Sequence, residues 1–147
     1  MTAPVREQAR PSAWDVMAGR LGLVLVAGVA ALAAFLEVLL TPLYIGSVIF
    51  PITVLLGVVT NIVLPILARE LVDSFLAAAL PVLIWFLVAF ILGFLPAHGS
   101  VLLPGGGAGQ TFVSLGLVFG GVVTGSITLA RAPGPALRAK RKAAASA

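Results

Sequence analysis

Charged and strongly polar positions divide the chain into four long apolar stretches. Residues 21–40 carry one acid, Glu37. Residues 48–68 and 74–95 carry no charge, and 110–130 carries none while being rich in glycine. A helix rises about 1.5 Å per residue, so crossing about 30 Å of hydrocarbon takes roughly 20 apolar residues. Each stretch is therefore predicted to be one membrane-spanning helix. None shows the alternation over segments of about ten residues that a transmembrane β-barrel needs. The links 41–47, 69–73 and 96–109 are short, and Pro42 and Gly46 break the first of them. Short links make sequential helices antiparallel neighbours. The expectation is all-α: an integral membrane four-helix bundle over 21–130, with a basic tail at 1–20 and another at 131–147.

Composition sharpens this reading. Of the 147 residues, 61% are hydrophobic and 10% charged, and the mean hydropathy is +1.18. A soluble domain is about a quarter charged, and a chain this short has no core large enough to hide so much apolar surface. A soluble enzyme domain, a disordered tail and a soluble coiled coil are excluded. The chain has no cysteine, which removes disulfides, thiol chemistry and Cys-ligated metals.

Charge then orients the bundle. All nine Lys and Arg residues fall in three segments: Arg6, Arg10 and Arg20 before the first span, Arg69 between the second and third, and Arg131, Arg138, Lys140, Arg141 and Lys142 after the fourth. With four spans these segments share one face, and basic residues resist translocation. Both termini are expected to be cytoplasmic, in the cell membrane. The first span also admits a signal-peptide reading, with Ala31-Leu32-Ala33 as the cleavage site. Its apolar run continues to Leu40, longer than an h-region of about 7–15 residues.

Polar groups inside the spans are the candidates for function, because each is costly in lipid. Glu37 lies three residues before Leu40, about 4–5 Å below the outer end of its helix. It is either a proton or cation site, or a side chain that snorkels outward or hydrogen-bonds to a neighbouring helix. Asn61 sits roughly 10 Å from the cytoplasmic end of span two. Pro65 follows it at i+4 and leaves its carbonyl without a donor. Asn61 is either an ion or substrate ligand beside that free carbonyl or a hydrogen-bonding contact between helices. By helical rise the two residues are about 14–16 Å apart along the membrane normal. They are expected in separate layers: Glu37 with Thr53 and Ser114, Asn61 with Thr124. Pro81 predicts a kink in span three. Gly116, Gly120, Gly121 and Gly125 form a flat ridge on span four, either a docking face for a partner or second copy, or a packing face within the bundle. Ala27, Ala30, Ala31 and Ala34 offer a weaker version on span one.

The remaining features carry little chemistry. His98 is the only histidine, too few for a metal site. The loop Leu103 to Thr111 lacks the lysine and the first glycine of a phosphate loop. Tyr44 and Trp14 suit membrane interfaces, and Trp85, near the middle of span three, suits packing. The basic tail after Arg131 is a topology determinant that also attracts anionic lipid; nucleic-acid binding is not expected. No catalytic set and no cofactor motif is present in the sequence.

Glu37 lies too near the end of its span for a small multidrug exporter, and the Arg- and Asn-bearing pattern of fluoride channels is absent. Four features carry a different resemblance: the opening Met1-Thr2-Ala3-Pro4, the stretch Glu37 to Tyr44, Asn61 with Pro65, and the basic tail after Pro133-Gly134-Pro135. In these the chain resembles an actinobacterial family of small four-span membrane proteins. Genes of that family often lie beside the deacetylase gene of mycothiol biosynthesis. The resemblance implies four spans and supplies no activity and no site residues. The expected role is a non-enzymatic accessory or scaffold subunit without cofactor or metal, whose partners are the lipid bilayer and a membrane protein or a second copy. The alternative is a small oligomeric transporter or channel using Glu37 and Asn61. A phage-type holin also fits four small spans and a basic tail.

Overall fold

The computed structural model describes residues 12–41, 44–45, 48–94, 103, 108–131 and 144. Four helices dominate: α1 (Ala13–Leu40), α2 (Ile52–Leu71), α3 (Phe75–Phe94) and α4 (Ala108–Arg131). Each is long and apolar enough to cross a membrane. Between α1 and α2, β1 (Tyr44–Ile45) and β2 (Val48–Ile49) pair antiparallel, Tyr44 opposite Ile49 and Ile45 opposite Val48.

Helix ends differ from the hydropathy pattern where local chemistry outweighs it. α1 starts at Ala13, well before the apolar run. Ser12 caps it: Asp15 N–H donates to Ser12 Oγ at 3.2 Å, and Ser12 N–H donates to Asp15 Oδ2 at 3.0 Å. This reciprocal pair is a capping box, which satisfies donors that a helix start leaves open. Val48 and Ile49, expected at the start of the second span, lie instead in the short ladder. α2 begins behind Pro51 and runs on through Arg69 to Leu71. Pro65 and Pro81 both lie inside continuous helices.

Close approaches set the directions of packing. Gly19 and Gly22 of α1 meet Leu71 at the end of α2, whereas Glu37 meets Thr60, so these helices are antiparallel. Gly116 and Gly120 of α4 face Val54 and Val58 of α2, and Gly125 faces Asn61, so α2 and α4 run parallel. Gly121 against Trp85 and Gly125 against Val82 make α3 and α4 antiparallel. α2 and α3 each touch all the other helices, while α1 and α4 lie on opposite sides. The short links account for the antiparallel neighbours, but the close parallel pairs α1–α3 and α2–α4 come from tertiary packing.

Small residues line the interior. Ala30, Ala34, Ala68 and Ala89 are buried in one cluster with Trp85 and Leu117. In lipid, helices gain little from hiding apolar surface from one another, so close packing and hydrogen bonds hold them together. The outward surface is built of large apolar side chains such as Leu25, Leu83, Phe112 and Phe119.

Candidate functional site

The polar centre of the bundle is Glu37, only 3% exposed. A Cα–Cβ bond in a helix tilts towards the N-terminus. α1 runs towards the β-ladder, so the Glu37 side chain points away from that end and down into the bundle. Its two carboxyl oxygens meet different helices. Thr60 Oγ1 on α2 donates to Oε1 at 2.8 Å. Trp85 Nε1 on α3 donates to Oε2 at 2.7 Å. The backbone carbonyl of Glu37 accepts from Thr41 Oγ1 at 2.8 Å.

Glycine makes this arrangement fit. A Cβ on Gly57 would stand 2.9 Å from Leu117 Cδ1, 3.3 Å from Glu37 Oε2 and 3.4 Å from Trp85 Cζ2. The bare backbone of α2 therefore forms one wall of the site. A Cβ on Gly121 would run into the Trp85 ring, with Cζ3 at 2.6 Å and Cη2 closer still. α4 thus presses its backbone against the indole, which is 1% exposed.

Asn61 lies one residue beyond Thr60 and is 1% exposed. Its Nδ2 donates to the Gly57 carbonyl at 2.9 Å. Its Oδ1 faces α4, 3.3 Å from the position a Gly125 Cβ would take. The amide therefore ties back to its own helix and seats its oxygen against the neighbour.

The structure corrects the two-layer expectation. Glu37 bonds to Thr60 and Trp85, and it comes within one residue of the Asn61 level on α2. Helical rise gives the depth of the Cα, whereas the carboxyl hangs a side-chain length deeper. α2 also extends further than α1 at the ladder end: Thr60 is eight residues past Ile52, about 12 Å of helix. Outward snorkelling is likewise replaced by hydrogen bonding between helices. Thr53 is fully buried, and its Oγ1 has no hydrogen-bond partner among the described residues. Ser114 is buried on α4, and the carbonyl of Thr124 accepts from Thr128 Oγ1 at 2.9 Å.

Of the four glycines of the ridge, Gly121 and Gly125 are buried in the bundle, while Gly116 and Gly120 are half-buried. A Cβ on Gly116 or Gly120 would meet valines of α2 at ordinary van der Waals distance, and one on Gly121 or Gly125 would run into α3. Position in the sequence marks Trp85 only as a packing residue and gives Thr60 no distinguishing mark. One signal pointed to Trp85: a buried indole N–H needs an acceptor, and Glu37 is the one acid within the four apolar stretches.

No family model, no curated protein and no solved structure matches the chain.

Among the described residues no group of three or more His, Cys, Asp and Glu stands together. His98, the glycines at 105–107 and the basic residues from Arg138 to Lys142 lie outside the described residues. The chemistry the site offers is that of one carboxyl group held by two neutral donors in a closed, apolar setting.

Proposed function

We propose that the chain is a multi-pass protein of the cell membrane with both termini cytoplasmic, acting as a non-enzymatic accessory or scaffold subunit. The observation that carries this reading is the filled space around Glu37 and Trp85. Trp85 occupies the space left by Gly57 and Gly121, and both Glu37 oxygens are taken by the protein's own side chains. A bundle built this way works as a packing element with an apolar outer surface. The orientation rests on the basic residues of the tails and of the link after α2. Of the glycine ridge, Gly121 and Gly125 are buried within the bundle, and Gly116 and Gly120 are half-buried. Native mass spectrometry of protein purified from its own membrane tests the role. A stoichiometric second protein supports it; a chain that stays solitary in native-like lipid counts against it.

A second reading, a small oligomeric transporter or channel, is favoured by the burial of Glu37. Its test is flux into proteoliposomes. Flux abolished by Glu37→Gln supports it, and flux unchanged by that substitution removes Glu37 from the mechanism.

A further inference from the structure

We propose that Glu37 is an intramembrane proton-binding site, and that Oε1, the oxygen facing Thr60, is the atom that carries the proton. The inference depends on neither a partner nor a transported substrate.

The first support is isolation from other charges. Glu37 is packed by α1 itself, by Thr60 and Gly57 of α2, by Trp85 of α3, and by α4 through Leu117 beside Gly57. The charged residues on these elements are Asp15 and Arg20 on α1, Arg69 and Glu70 on α2, and Arg131 on α4; α3 has none. Arg69 lies about 13 Å along α2 from Thr60, Arg20 about 25 Å along α1 from Glu37, and Arg131 about 21 Å along α4 from Leu117. No described charge faces the carboxyl, so a bound proton is what neutralises it.

The second support is the asymmetry of the two donors. An indole N–H only donates, whereas a threonine hydroxyl both donates and accepts. When both oxygens are unprotonated, each accepts one hydrogen bond, as in the observed geometry. A proton on Oε2 directed at Trp85 Nε1, 2.7 Å away, would set two donors against each other. A proton on Oε1 is accommodated by turning the Thr60 hydroxyl, which then accepts. Access points to the same atom: Thr60 is partly buried, whereas Trp85 is sealed inside. The step is a proton transfer alone. An O–H bond forms at Oε1 as one breaks in the donating hydronium ion, and water leaves. Trp85 holds Oε2 in both states.

Trp85 also makes the site measurable. The chain has two tryptophans, and Trp14→Phe leaves Trp85 as the sole indole. The full chain in phosphatidylcholine–phosphatidylglycerol nanodiscs is titrated while Trp85 emission is read. One-proton behaviour is expected, with Glu37→Gln showing the low-pH spectrum at every pH. Its amide oxygen accepts from Trp85 and its NH₂ donates to Thr60, the polarity of the protonated acid. Emission that does not change over the folded pH range, or a transition that survives Glu37→Gln, overturns the proposal. The choice of oxygen is tested without removing the acid. Thr60→Val should displace the midpoint and Thr60→Ser should restore it, and a midpoint indifferent to Thr60→Val overturns the assignment to Oε1.

Discussion

Gly120 and Gly121 are chain neighbours, yet alanine should act on them in opposite directions. At Gly121 a new Cβ lands within 2.6 Å of Trp85 Cζ3 and 2.9 Å of Cζ2. The ring cannot swing away cheaply, because it is buried and its Nε1 holds Glu37. Forcing a methyl into a packed core costs about 1–3 kcal/mol, and loosening the Trp85–Glu37 bond adds roughly 1 kcal/mol. Alanine also gains about 0.5–1 kcal/mol over glycine inside a helix. The net expectation for Gly121→Ala is a loss of about 1–3 kcal/mol by the same overpacking scale. At Gly120 the nearest atoms, Val58 Cγ2 and Val54 Cγ1, stand at 3.7 and 3.8 Å, ordinary contact distances. Gly120→Ala should therefore keep the helix gain of about 0.5–1 kcal/mol. Equilibrium unfolding of the two variants in mixed micelles, followed by circular dichroism, measures the difference. Equal stability of the two variants would falsify the packing of α4 on α3 described above. A Gly120→Ala variant that is the less stable would place that flank against another molecule.

Trp85→Phe should lower stability by about 1–3 kcal/mol, because it leaves Oε2 of a buried acid without its donor; a double-mutant cycle with Glu37→Gln should give a clear coupling energy, and strict additivity would argue against the bond. Thr53→Val should raise stability by about 1–3 kcal/mol, since it removes a buried hydroxyl that has no partner among the described residues; a loss of stability would mean that the hydroxyl is satisfied after all. Ser12→Ala should cost about 0.5–2 kcal/mol at the start of α1, visible as faster amide exchange over residues 13–16 with the rest of the bundle unchanged.

The four helices were legible because apolar runs of membrane length have few alternative structures. Their ends were less so. Ser12 and Asp15 stand in capping-box spacing, a signal in plain view that places the start of α1 ahead of the apolar run. Val48 and Ile49 are as apolar as the span behind them, and hydropathy does not distinguish a β-ladder from a helix there. The site was half legible. Glu37 and Asn61 stood out by type, but their neighbours depend on how far one helix slides along another, and no single-chain pattern records that offset. The ridge on α4 shows the same limit: four glycines at helical spacing announce close contact, while only the packed bundle says that Gly116 and Gly120 face α2 and that Gly121 faces Trp85.

The placement of α1 and α4 on opposite sides has a consequence for biogenesis. Glu37 is held by α2 and α3, both of which leave the ribosome before α4. The residue most averse to lipid thus finds its hydrogen bonds while the nascent chain is still incomplete. The fourth helix arrives last, closing its glycine backbone over an indole already in place, so a chain stalled after α3 would still have its acid satisfied.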